Sequence, residues 1–121
     1  MIGTLESIVI DCPDAKALAD FYGEILGLRQ FPGVDDWIDL VGPGGAKPII
    51  ALQQVENYRA PEWPGQLVPQ QLHLDIRVVD LDEGEAAVLA LGATRTGSEE
   101  ATFRVYLDPA GHPFCLINGT D

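Results

Sequence analysis

The sequence predicts an α+β fold: two tandem β-α-β-β-β units forming a curved eight-stranded trough with the helices outside. Three observations carry this. Residues 71–93, QLHLDIRVVDLDEGEAAVLALGA, read as strand, turn, helix and stop, and residues 5–28, LESIVIDCPDAKALADFYGEILGL, have the same plan. Ser7 aligns under His73, Ile8 under Leu74, Ile10 under Ile76 and Asp14 under Asp80. Each helix is followed by alternating apolar segments separated by Gly- and Pro-rich turns, the pattern of short strands.

In the first unit, residues 4–11 alternate as a strand, with Ile8 and Ile10 on one face and Ser7, Val9 and Asp11 on the other. Pro13 stops it, and Asp14 suits a helix N-cap because its carboxylate can accept from free backbone N–H groups. A helix over 15–26 puts Leu18, Phe21, Tyr22, Ile25 and Leu26 on one stripe, and Gly27 ends it. Residues 28–31 form a short strand. Residues 37–41 and 49–55 form two more around the turn at 42–45.

Residues 56–69, with three prolines and a glycine, read as a linker between units at 1–55 and 70–121. Its Tyr58 and Trp63 are expected to pack on the core edge. The second unit then repeats the order: strand 71–78, N-cap Asp80, helix 81–91 stopped by Gly92, short strand 93–96, loop 97–101, and strands 103–107 and 114–117 around the turn at 108–113. The repeat places Trp37 under Phe103.

At 121 residues the chain suits one compact domain or two half-domains. Seven Lys and Arg against 19 Asp and Glu leave a formal charge of −12, which repels nucleic-acid phosphate and anionic lipid. Neither nucleic acid nor membrane is therefore an expected partner. The charge favours a cationic ligand, although such acidity commonly reflects solubility alone. No apolar run approaches the ~20 residues of a membrane span, and no signal peptide precedes the first strand. Cys12 and Cys115 sit in apolar strand patterns, as reduced thiols of a cytoplasmic protein would.

Strand alternation also locates a site. If Leu72, Leu74, Ile76 and Val78 face the helix, His73, Asp75 and Arg77 face the concave side, as do Ser7, Val9 and Asp11 in the first unit. Polar groups on a concave surface are the default binding site. A lone histidine is more often an ordinary structural one, and Asp75 and Arg77 can simply pair with each other. The inward register makes His73 and Asp75 the candidate catalytic pair, with Trp37, Phe103 and Val9 lining the pocket.

The segments DCPDAKALADFYGEILGL, DDWIDL, HLDIRVVDLDEGEAAVLALGA and LDPAGHPFCLI cover most of the chain. In them the sequence resembles the vicinal-oxygen-chelate superfamily: glyoxalase I, bleomycin-resistance proteins and extradiol dioxygenases. Within it the chain is similar to a glyoxalase-like subgroup with a Pro-Glu-Trp-Pro linker ahead of Gln-Gln-Leu-His-Leu-Asp. The resemblance implies a homodimer, as do the open sheet edges. It also implies metal-ligand positions on the first and last strands of each unit. Carried over, these are Ser7, Gln53 (with Gln54 as the alternative), His73 and Cys115.

That set is weak for a divalent metal, since serine and glutamine are poor donors, so no tightly bound cofactor is expected and a divalent metal remains an option. The second histidine of an extradiol iron site is missing, because His112 falls in a turn and is expected to be exposed. Cys115 reads as a buried inert thiol rather than a nucleophile. Two functions remain. One is a glyoxalase-like enzyme acting on a small oxygenated substrate, with His73 as ligand or acid/base and Asp75 and Gln53 orienting. The other is a ligand-sequestering protein of the bleomycin-resistance type.

Overall fold

The computed structural model describes residues 1–33 and 36–118. Asp35 of the DDWIDL segment and positions 119–121 of the second unit lie outside the described residues. The chain is α+β and divides into two units, Met1–Tyr58 and Arg59–Asp121, so the division falls within the segment read as a linker.

Unit 1 contains β1 (Ser7–Cys12), α1 (Ala15–Leu26), β2 (Arg29–Pro32), β3 (Trp37–Val41) and β4 (Ile49–Gln54). A single 3₁₀ turn, Pro43–Gly45, joins the last two strands. The sheet order is β1-β4-β3-β2, with β1 and β4 parallel and the other pairs antiparallel. Asp14 caps α1 as expected: its Oδ1 accepts from the Ala17 N–H at 3.1 Å. Gly27 closes the helix in the left-handed conformation, φ 66°, which only glycine adopts without strain. The helix buries Leu18, Phe21 and Tyr22, and the sheet answers with Ile10, Ile38, Leu40 and Leu52. The rings of Phe21 and Tyr22 meet edge to face at 5.0 Å.

Unit 2 contains β5 (Leu74–Arg77), α2 (Leu81–Ala90), β6 (Thr94–Glu99), β7 (Phe103–Leu107) and β8 (Pro113–Ile117), in the order β5-β8-β7-β6. Again the first and last strands pair in parallel. Asp80 caps α2, accepting from the Glu83 N–H at 2.9 Å. Phe114 and Leu116 of β8 are fully buried, and Tyr106 stacks on Phe114 with centroids 5.6 Å apart. Gly84 lets the helix approach the sheet, because a Cβ there would meet Val78 at 3.1 Å and Leu116 at 3.3 Å.

Two elements differ from the sequence expectation. β5 is shorter than 71–78: it begins at Leu74, opposite Phe114. The next partner outward would be Pro113, which has no backbone N–H to donate. His73 therefore stands just before the first rung, and Leu72 is exposed. Conversely, β6 extends through most of the expected loop to Glu99, with an irregular register between Arg95 and Glu99. There the Thr96 hydroxyl donates to the Val105 carbonyl at 2.8 Å, so a side chain supplies a cross-strand bond where the ladder is disturbed.

Candidate functional site

The parallel pairing of β5 with β8 sets the geometry. Asp75 lies directly opposite Cys115, so their side chains leave the same face of the sheet side by side. Leu74 and Ile76 alternate to the other face, together with Phe114 and Leu116, which pack under α2. His73, two residues before Asp75, returns to the Asp75 face. Its Nε2 lies 3.2 Å from the Asp75 Oδ1.

Exposure is graded across the three. The His73 and Asp75 side chains are 42% and 54% exposed, whereas Cys115 is 8% exposed. Burial pushes the Cys115 thiol up to about 11, and the neighbouring carboxylate of Asp75 adds to this by its charge and by accepting the thiol's hydrogen bond. A thiol in that state is no nucleophile at neutral pH, in keeping with the inert reading. Both cysteines are buried thiols.

Unit 1 arranges its candidates differently. Ser7 pairs with Ile49, whereas Gln53 pairs with Asp11 on one side and Trp37 on the other. Ser7 and Gln53 thus share a face but stand four rungs apart, about 13 Å at ~3.3 Å per residue. Trp37 donates its indole N–H to Asp39 Oδ1 at 2.8 Å, which fixes the ring. Val9 is 41% exposed. Gln54, the alternative to Gln53, turns to the helix side, where its Oε1 accepts from the Ala15 N–H at 3.0 Å. In unit 2, Phe103 lies opposite Ile117 as Trp37 lies opposite Gln53. His112 is half-buried rather than exposed. Its N–H donates to Asp108 Oδ1 at 3.0 Å within the turn.

Of the expected site residues, the structure gathers His73, Asp75 and Cys115 and sets Trp37 beside Gln53, while Ser7 stands apart from Gln53 along their strands. What the sequence reading underused was Asp75 as a donor atom. The signal lay in the register: a parallel rung places residue 75 against residue 115, and sequence alone does not reveal that rung. Among the described residues, His73, Asp75 and Cys115 form the one group with metal-ligand spacing, their donor atoms all within 4.8 Å of one another. One nitrogen, one oxygen and one sulfur donor suit zinc-class ions, and catalytic zinc commonly takes three protein ligands. The residues therefore fit a divalent metal of that class.

The fold has close counterparts. A glyoxalase/bleomycin resistance protein/dioxygenase family enzyme from Burkholderia phytofirmans PsJN superposes with a TM-score of 0.68 at 18% identity, over 96% of this chain and 98% of that one. A fosfomycin resistance protein from Listeria monocytogenes gives 0.71 at 16% identity, over 99% and 96%. The trypanothione-dependent glyoxalase I of Leishmania major gives 0.65 at 23% identity, over 96% and 86%. At these identities the likeness establishes the fold. No curated protein sequence matches the chain. Residues 7–117 match the family model of the glyoxalase-like domain, from the first residue of β1 to the last of β8, and the chain belongs to that family.

Proposed function

We propose that this protein binds a small oxygenated molecule and acts on it by proton transfer, with His73 carrying the proton and Asp75 holding the imidazole. The observation that carries this reading is the 3.2 Å contact between His73 Nε2 and Asp75 Oδ1 on the open face of a sheet. A carboxylate at one ring nitrogen orients the imidazole and leaves Nδ1 for the ligand. Both side chains are substantially exposed, so a ligand can reach them. Phe103, opposite Ile117 on β8, lies on the same face of that sheet and supplies apolar surface for such a ligand. The solved relatives include enzymes and a resistance protein acting against a small molecule, which agrees with a ligand of that size.

A divalent metal held by His73, Asp75 and Cys115 would take up the imidazole and the carboxylate and polarise a substrate oxygen in their stead. In its absence the residues themselves position the ligand and move the proton.

A second reading, sequestration without chemistry, is supported by the formal charge of −12, which suits a cationic ligand. One experiment separates them. Dihydroxyacetone and glycolaldehyde are incubated with the protein in deuterated water and exchange of the carbon-bound proton next to the carbonyl is followed by NMR. In parallel, fosfomycin and bleomycin are titrated by calorimetry. Catalysed exchange that disappears in His73→Ala and falls in Asp75→Asn supports the enzyme. Tight bleomycin binding with no exchange supports sequestration. We further expect a homodimer, because among the described residues β1, β2, β5 and β6 are the edge strands of their own sheets, and we expect it in the cytoplasm. Sedimentation showing monomer alone at micromolar concentration contradicts the dimer.

A further inference from the structure

We infer that the molecule acted on at His73 carries an oxyanion, a carboxylate or a phosphate, and that Arg77 binds it. The inference rests on the proton-transfer reading above and adds the substrate's charge to it. Three observations carry it.

The first is placement. Arg77 follows Asp75 by two residues and His73 by four, so strand alternation brings all three to the face turned away from α2. Four residues of strand span about 13 Å at ~3.3 Å per residue. An imidazole at one end and a long arginine stem at the other can both reach into that interval. A molecule of a few carbon atoms can therefore touch both.

The second is what lies beside them. The Arg77 rung continues into Ile117 of β8 and Phe103 of β7, and the Asp75 rung into Cys115 and Val105. On these two rungs the charged side chains stand along β5 and the rest of the face is apolar. A ligand lying against that apolar floor meets one cation, Arg77, which is exposed. The arginines of the neighbouring strands face the other way: Arg95 lies opposite Tyr106 and pairs with Glu85, and Arg104 lies opposite Leu116 and pairs with Asp82.

The third is donor chemistry. A guanidinium presents a planar fork of N–H groups that matches a carboxylate or a phosphate two bonds at a time. Asp75 stands between the two ends, but its Oδ1 is turned to His73 Nε2 at 3.2 Å. The formal charge of −12 opposes an anion from a distance. Salt screens that field beyond about 8 Å, so at contact the guanidinium decides.

The test compares dihydroxyacetone with dihydroxyacetone phosphate and hydroxypyruvate in the deuterium-exchange assay on the full chain. At least one of the two anions should show a KM roughly tenfold or more below that of dihydroxyacetone, and which one does so separates phosphate from carboxylate. Arg77→Gln should raise that anion's KM about 10–100-fold through binding rather than kcat. Arg77→Lys keeps the charge without the fork and should recover part of the loss. Should Arg77→Gln not fold, NMR of the wild-type chain decides: the Arg77 Nε–H resonance should shift on titration with glycerol 3-phosphate or lactate and stay put with glycerol. The inference is overturned by anions that do no better than dihydroxyacetone, by an equal loss for neutral and anionic compounds in Arg77→Gln, or by an unmoved Nε–H resonance. The equal loss would mark Arg77 as a charge that only guards the edge strand β5. Exchange absent with every compound sinks the proton-transfer reading instead, and the NMR titration then still reads whether Arg77 holds an oxyanion.

Discussion

The two units share a strand order and differ in what holds the helix to the sheet. α1 buries Ala15, Leu18, Ala19, Phe21, Tyr22 and Gly23, whereas α2 buries only Leu81 and Val88. α2 is tied down by polar contacts instead. Glu85 accepts from the Tyr106 hydroxyl at 2.9 Å and pairs with Arg95 at 3.2 Å, and Arg104 reaches Asp82 at 2.9 Å and Glu85 at 3.6 Å. A duplicated backbone plan therefore does not dictate its own adhesive. The backbone needs a cap, a helix of suitable length and a parallel first-to-last strand pair. Apolar packing and a partly buried polar network both satisfy that plan. The same divergence appears on the sheet faces turned away from the helices, where unit 2 carries His73, Asp75 and Cys115 and unit 1 carries Ser7, Val9 and Ala51 at corresponding rungs.

The sharpest way to break this contrast is in α1. Phe21 is 2% exposed and packs on Tyr22, so Phe21→Ala should destabilise the protein by about 3–5 kcal/mol, read as a lower urea midpoint. A loss under about 1 kcal/mol would mean that unit 1 is not held by its apolar helix.

Alkaline pH should act on unit 2. Burial, followed by the hydrogen bond and charge of Glu85, pushes the Tyr106 hydroxyl up to about 12. An acid whose pKa is raised on folding contributes stability below its unfolded value of 10.0 and loses it as pH rises through the folded value. A rise of that size corresponds to about 2–3 kcal/mol. Melting curves between pH 9 and 12 should fall more steeply for the wild type than for Tyr106→Phe. Parallel curves would remove the phenol from the account.

The turn after β7 offers a backbone test. Gly111 has φ 91°, and a Cβ there would lie 2.8 Å from the Ala60 Cβ. Gly111→Ala should cost about 1–3 kcal/mol, since strain and crowding add. The corresponding turn of unit 1 is more forgiving: a Cβ on Gly44 meets nothing within 4 Å, so Gly44→Ala should carry the conformational part alone. Equal melting shifts for the two variants would show that Ala60 yields without cost.

The smallest effect is expected at Glu85. Arg95, then Tyr106, hold its carboxyl below the usual 4.5. A lowered carboxyl contributes stability above its unfolded value and loses it as pH falls through the folded value. Glu85→Gln should therefore cost about 1 kcal/mol at neutral pH and nearly nothing in acid. A neutral-pH penalty that persists unchanged in acid would mark the loss as packing rather than charge.

Much of the fold was legible because it is written in local chemistry. Asp14 and Asp80 announce helix starts, Gly27 announces a stop, and alternating apolar residues announce strands, and each rests on contacts within a few residues. The duplication then supplied the strand count and the unit order. The boundaries of β5 and β6 were not legible, since Pro113 and Thr96 act on them from across the sheet.

For the site, the sequence by itself determined which residues share the sheet face opposite the helix, because alternation is a property of the chain: His73 with Asp75, Ser7 with Val9. Only the tertiary structure decided which strand residues stand on one rung. Register depends on where two distant segments meet, and a slip of one position would have turned Cys115 to the helix side. That meeting brings Asp75 against Cys115 and makes three donors from residues 42 positions apart at most, while it leaves Ser7 and Gln53 far from each other on a strand pair of the same plan.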